Sequence, residues 1–364
     1  MMTNNTNTQT EIQLSDWGEH YDRPIDALCL GRAGMDLYAN DFGATLGSTS
    51  TFHKAVGGSP ANIAFSLSKL GAHSSVLSCV SEDGVGHYVK DALNAHAIGT
   101  TYLFTVQGEY RTSLALAEFD PKPEVVIYRN LAADLALNFD HVDAVDFSAI
   151  RTLVVSGTAL SQSPSRESTL RAMKLASAHG CKVVLDLDYR AYSWQSAEEA
   201  ADCYQKASAM SDLVIGNEEE YQVMQGSALH HKDSEEMALI AAQILCKQAE
   251  LVVAKAGENG CKFFGTDNSQ NLTSAAQGIF NVIAKKPYGA GDAFAGALIF
   301  GLLHGQPLQD CIAMGSANAA INVTGNTCSD AMSTLPKLLE FMQSQDHPFS
   351  PQFSLLTNKE SCHG

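Results

Sequence analysis

Apolar residues in this chain fall into short runs that alternate with stretches of helical spacing. Ala27–Leu30 is apolar and ends at Gly31. Between Ser59 and Leu70, the positions Ile63, Leu67 and Leu70 share one face, which predicts a helix with a single buried side. Ser59 is placed to cap it, Pro60 suits its first turn and Gly71 its end. Ser75–Val80 predicts a strand and His87–His96 a helix. The theme repeats with Leu153–Val155 before Ser165–Ala178, Val183–Asp186 before Ala197–Met210, and Leu213–Ile215 before Ser234–Cys246. Leu251–Ala254 is a further strand. Strands alternating with helices predict a parallel sheet covered on both faces.

Two stretches break the rhythm. Leu37–Val56 and Tyr102–Tyr128 contain β-rich runs such as Thr112–Phe119 and Val125–Tyr128 with no helix between them. They predict a small β lid, drawn from about 37–56 and 102–130, on a folded unit spanning 24–346. The polar stretches 1–23 and 347–364 predict disordered tails. No internal repeat interrupts the pattern.

Composition narrows the function. The 23 basic residues against 40 acidic ones leave a net charge of −17, which argues against a nucleic-acid partner. An anionic ligand then requires a local positive site. Nine cysteines without a CxxC pair predict a reduced, cytoplasmic setting and no zinc site. The N-terminus has no apolar core of a secretory signal, and no apolar run reaches the ~18 residues of a membrane span.

Four motifs carry candidate chemistry. In Tyr288-Gly289-Ala290-Gly291-Asp292 small residues lead straight into the apolar stretch Ala293–Leu303. Backbone N–H groups at such a helix start form an anion hole. A carboxylate there repels a phosphate, so Asp292 makes sense as a base that takes a proton from an attacking hydroxyl. The competing reading is a tight turn with Asp292 as a cap. Gly57-Gly58-Ser59-Pro60-Ala61-Asn62 joins a double glycine to a helix start. Asn62 offers a polyol both a donor and an acceptor, although a structural loop explains the motif equally well. Asn217 and Glu220 in Asn217-Glu218-Glu219-Glu220 offer hard oxygens for hydrated Mg2+, against the plain alternative of an acidic first helical turn. Lys255-Ala256-Gly257-Glu258-Asn259-Gly260 follows a strand, where open α/β sheets bind nucleotides, or is simply a glycine turn. His230-His231 lacks a third ligand nearby.

In this order, the motifs resemble the ribokinase-like family of sugar kinases over about Ile25 to Met342. The resemblance implies a doubly wound α/β/α sandwich with a β lid, and transfer of the ATP γ-phosphoryl group to a primary hydroxyl with Mg2+. It implies Asp292 as catalytic base and Gly289, Ala290 and Gly291 as the anion hole. Asp36, Gly58 and Asn62 would hold the sugar, and Asn217 and Glu220 would organise Mg2+ through water. Lys255, Gly257 and Gly260 would line the nucleotide site, with Asn318 near the adenine. The versions Gly57–Ala64, Lys286–Asp292, Asp186–Arg190 with Trp194, and Tyr128–Asn130 with Ala132–Asp134 are similar to the 5-dehydro-2-deoxygluconokinases of inositol breakdown. Kinases of 2-keto-3-deoxygluconate, fructose or ribose stay open, as does a non-catalytic sugar-binding protein on the same fold, and a homodimer is possible. For a sugar acid, Arg32 and Arg129 are the candidate carboxylate partners. Many relatives carry an aspartate near the position of Lys286 that helps hold a potassium ion. Lys286 here either supplies a fixed positive charge in its place or points to solvent.

Overall fold

A computed structural model describes residues 12–120, 122–226 and 234–345. In chain order, β1 (Ile25–Leu30) leads through β2 (Gly34–Phe42) and β3 (Phe52–Gly57) into α1 (Ser59–Leu70) and β4 (Ser74–Ser81). Then come α2 (Gly84–Ala95), β5 (Leu103–Val106), β6 (Leu114–Phe119), β7 (Val125–Tyr128), α3 (Phe139–Asp143) and β8 (Ile150–Ser156). The centre runs through α4 (Ser165–Ala178), β9 (Lys182–Asp186), α5 (Ala197–Ser208), β10 (Leu213–Asn217), α6 (Glu218–Met224), α7 (Ser234–Leu245) and β11 (Leu251–Lys255). The hairpin of β12 (Cys261–Thr266) and β13 (Leu272–Gln277) precedes α8 (Ala290–Leu303), α9 (Leu308–Val323) and α10 (Leu335–Ser344).

Nine strands form one sheet in the order β13-β12-β11-β10-β9-β8-β1-β4-β5. From β5 to β11 every pairing is parallel, and β12 and β13 close the edge antiparallel. Such strands are covered on both faces, which is why β4 and β8 are buried along their whole length. One face packs against α1, α2, α8, α9 and α10. The other packs against α3 to α7. The fold is thus the expected doubly wound α/β/α sandwich. After β1 the sheet continues on one side with β4 and on the other with β8, a reversal that opens a crevice at the carboxyl ends of these strands.

The lid is a separate four-stranded sheet ordered β3-β2-β6-β7. Its inner face buries Tyr38, Ala55 and Ala117 together with Cys328, and Tyr288 packs against them.

Three expectations need correction. Leu103–Val106 is not lid: it pairs parallel with β4 and forms the edge of the large sheet. Residues 12–23 are not a loose tail, because Trp17 is buried and the Ser15 amide and hydroxyl donate to Glu250 at 2.7 and 2.6 Å. Ser59 does not cap α1: the cap position is Gly58, and Ser59 is the first helical residue. Residues 1–11, His230-His231 and 347–364 lie outside the described residues. The eight described cysteines are all free. No helix among the described residues is long and apolar enough to cross a membrane.

Candidate active site

The amino end of α8 separates two cavities. Gly289 and Asp292 line the first, of about 260 Å3, which lies under the lid. Ala290 and Gly291 line the second, of about 630 Å3, on the other side. Gly289 is in the left-handed conformation at φ 85°, and a Cβ there would sit 2.8 Å from both Asn322 Oδ1 and Cys328 Sγ. Only glycine lets the chain enter α8 this way. The first N–H groups of α8 have no partner inside the helix and carry its positive end toward the junction of the cavities. The helix starts at Ala290, so Asp292 lies in its first turn.

In the first cavity Asp292 Oδ2 accepts a 2.8 Å hydrogen bond from Asn62 Nδ2. Burial, and then the charges of Asp188 and Asp186, push the Asp292 carboxyl up to about 7. A carboxylate titrating there is suited to accept a proton near neutrality. Asn62 is buried and its Oδ1 has no protein partner, which leaves an acceptor in the cavity wall. Gly58 holds φ 104°, and a Cβ would meet the Arg32 carbonyl at 2.2 Å, so this glycine lets the β1–β2 loop carrying Arg32 approach the start of α1.

The same cavity gathers Asp36, Arg32 and Arg129. Asp36 accepts from Arg32 Nη2 at 3.2 Å and from the Tyr38 hydroxyl at 3.0 Å. Arg129 is buried. Its Nε and Nη2 donate to Asp134 Oδ2 at 3.0 and 2.5 Å, and Nη1 donates to the Thr158 carbonyl at 3.1 Å. Its planar fork is therefore already committed to Asp134, which corrects the expectation of a free two-point partner for a substrate carboxylate.

Lys255, Gly257 and Gly260 come together in the wall of the second cavity. Most of the remaining wall is apolar, including Ile279, Phe280, Val282 and Phe294, which suits the flat face of a base. Lys255 Nζ lies 3.2 Å from Asp186 Oδ1 and as close to the position a Gly291 Cβ would take. Burial alone would lower its pKa, but the Asp186 and Glu220 charges raise it, so it stays a cation between the cavities. Asn318 is a correction. It is fully buried, donates to Ser66 Oγ and the Ala293 carbonyl, and accepts from the Ser333 hydroxyl. Its neighbours Ser316, Ala319 and Ala320 face the cavity instead.

Asn217 and Glu220 form a capping box for α6. Asn217 Oδ1 accepts from the Glu220 amide at 2.9 Å, and Glu220 Oε2 accepts from the Asn217 amide at 2.7 Å. Glu220 Oε1 accepts from the Tyr189 amide. These oxygens are engaged in holding a helix start, so the acidic-turn alternative accounts for them. Among the described residues no three acidic, Cys or His side chains cluster as a metal cage. The donor set fits a divalent ion only if phosphate and water supply most of its ligands, as Mg2+ allows.

Lys286 does not point to solvent. It is fully buried, and its ammonium donates to the Tyr288 carbonyl at 2.7 Å and to Asn322 Oδ1 at 2.8 Å. Burial lowers its pKa.

Four residues here had no site role assigned from the sequence, although the stretch Asp186–Arg190 was singled out as a motif. Asp188, Arg190 and Tyr192 line the first cavity, and the buried Asp186 accepts a 3.5 Å hydrogen bond from Ser59 of its wall. Asp188 holds φ 39° just past the end of β9, and this turn directs Asp188 and Arg190 inward. Arg190 pairs with Asp188 at 2.7 Å, whose charge raises its pKa. Burial lifts Asp186 to about 6, against the pull of Lys255. The available signal was an acidic pair, Asp186 and Asp188, straddling a strand's carboxyl end.

Residues 25–335 match the model of the pfkB family carbohydrate kinases. A 5-dehydro-2-deoxygluconokinase from Photobacterium profundum is 44% identical over 326 residues, covering 89% of this chain and 97% of its own. Among solved structures, a fructokinase with bound ATP from Xylella fastidiosa superposes with a TM-score of 0.74 at 22% identity. It covers 88% of this chain and 99% of its own. A protein described as ribokinase II from E. coli, in complex with ATP and Mg2+, gives 0.76 at 19% identity with the same coverage. These two likenesses bear on the fold.

Proposed function

The chain belongs to the pfkB family of carbohydrate kinases and is an ATP-dependent sugar kinase, and we propose that it phosphorylates the 6-hydroxyl of 5-dehydro-2-deoxy-D-gluconate in inositol breakdown. The observation that carries this reading is the shared wall: one helix start presents Asp292 to the cavity under the lid and Ala290 and Gly291 to the other. The sugar acid occupies the first cavity and ATP the second. Asp292 accepts the proton of the attacking hydroxyl, and the N–H groups of Gly289, Ala290 and Gly291 steady the transferred phosphoryl charge. Asn62 orients Asp292 and offers its free Oδ1 to a sugar hydroxyl.

ATP acts here with a divalent metal, for which Mg2+ is the proposed ion, supplying charge neutralisation on the phosphates. Lys255 stands beside the anion hole and adds a permanent charge there. For the substrate carboxylate the candidate partners are Arg32 and Arg190. Arg190 is the freer of the two: its side chain is 48% exposed, against 11% for Arg32. Both are already paired with a carboxylate, which keeps the cavity near neutral until an anion enters. The free cysteines and absence of a membrane-spanning helix among the described residues accord with the proposed cytoplasmic setting.

A panel assay of ADP release tests the reading. We expect the highest kcat/KM for 5-dehydro-2-deoxy-D-gluconate over 2-keto-3-deoxygluconate, fructose and ribose. A higher value for any of the other three overturns the substrate, and no ADP release with any sugar overturns the activity.

A further inference from the structure

Tyr288 directly precedes the cap residue of α8, and three of its parts are anchored in different places. Its ring stacks on Tyr38 of lid strand β2, with centroids 5.3 Å apart at 28°. Its hydroxyl donates to the Glu118 carbonyl of lid strand β6 at 3.1 Å. Its own carbonyl accepts from the buried Lys286 ammonium at 2.7 Å, and that ammonium also lies 5.1 Å from its ring centroid. The lid's small core, Tyr38, Ala55, Ala117 and Cys328, is completed by Tyr288 packing against it. On the lid side the Tyr38 hydroxyl donates to Asp36, which faces the first cavity. Contacts therefore run without a gap from Asp36 through Tyr38 and Tyr288 to Gly289, whose N–H group begins the anion hole.

We propose that Tyr288 is a positioning residue through which sugar occupancy of the first cavity sets the geometry of the glycine turn. A sugar engaging Asp36 fixes Tyr38. The stacked Tyr288 then holds the turn in the one arrangement in which its N–H groups converge on phosphate. Lys286 makes this transmission stiff, because it pins the Tyr288 carbonyl from inside while the lid holds the ring and hydroxyl from outside. Sugar and nucleotide binding are then coupled, and the coupling is reciprocal.

The inference rests on the two-cavity reading above, and its test is a pair of calorimetric titrations. A non-hydrolysable ATP analogue is titrated into the enzyme alone and into the enzyme saturated with whichever sugar of the panel turns over. In the parent, sugar tightens the analogue about 5-fold or more. In Tyr288→Leu that ratio falls by about 3-fold or more, with one as its limit, as expected from loss of an aromatic stack, while affinity without sugar stays within about 2-fold. Tyr288→Phe, which keeps the stack, retains most of the coupling. Tyr38→Leu breaks the same stack from the lid side, leaves the turn's sequence intact and shows the same loss. A parent ratio of one, or a ratio unchanged in both leucine variants, overturns the inference. A wrong sugar assignment shows separately, as a different sugar giving the turnover that selects the ligand.

Discussion

Replacing Asp292 by asparagine should make the protein more stable in alkaline buffer. Burial first, then the Asp188 and Asp186 charges, lift this carboxyl to about 7 from 3.8. In the folded protein it keeps its proton up to about pH 7, whereas the unfolded chain gives it up near pH 4. Its contribution to stability is therefore intact below about pH 4, erodes between pH 4 and 7, and is absent above. A shift of about three units at ~1.36 kcal/mol each sets a ceiling of ~4 kcal/mol. The side chain is only half-buried in the cavity wall, and solvent screening brings the expected gain to about 1–3 kcal/mol. The Asn62 hydrogen bond survives the change, since an amide oxygen accepts as a carboxylate does. Urea unfolding of parent and variant at pH 5, 6, 7 and 8 reads the effect. The variant's advantage should be small at pH 5, grow through pH 7 and level off. An advantage that is the same at pH 5 and 8, or a parent more stable at pH 8, refutes the claim that this carboxylate is held in an environment hostile to its charge.

Lys286 occupies the space between the Tyr288 carbonyl and Asn322 Oδ1 with a fixed charge. Turnover should thus change little between K+ and a bulky organic cation at constant ionic strength, and strong K+ activation would count against that placement. Arg129→Met should destabilise the fold by about 3–5 kcal/mol, because it strands the buried Asp134. Adding Asp134→Leu should recover much of the loss, and a Tm unchanged by the single variant would contradict the pairing. Asn217→Ala should lower stability by ~1 kcal/mol through loss of the α6 cap while leaving the Mg2+ dependence of turnover unchanged. A large rise in the Mg2+ concentration needed would restore Asn217 to a metal role.

Much of the architecture was legible because it is written in period and punctuation. α1 and α4 span the stretches their apolar spacing predicts, and α1 stops at Gly71 in the left-handed conformation, but α1 is buried on nearly every side where the spacing predicted a single buried face. β5 was not legible: its four residues make an edge strand only because β4 offers a partner, and its sequence resembles the lid strands that follow. The start of α8 was read three residues late, because Gly289–Gly291 has little helix propensity and is held by tertiary contacts to Asn322 and Cys328. In the site, Asp292 stood out through its glycine lead. Asn217 and Glu220 carried a pattern that fits a metal and a capping box alike, and only hydrogen-bond geometry separates the two. Asn318 lies on a helix whose other face lines the cavity, a distinction of one or two positions that spacing alone did not resolve. Asp188 and Arg190 enter the site by a left-handed turn: the acidic pair at the end of β9 marks the place, but not the direction in which the turn sends their side chains.

The central claim is that Asp292 moves the proton while the turn beside it holds the phosphate. Single-turnover transfer from ATP, with both ligands saturating and at pH 7.5, tests it most directly by comparing the parent with Asp292→Asn. The account predicts a transfer rate lower by about 10²–10⁴-fold in the variant, with the affinity for ATP nearly unchanged. Transfer at the parent's rate would contradict it.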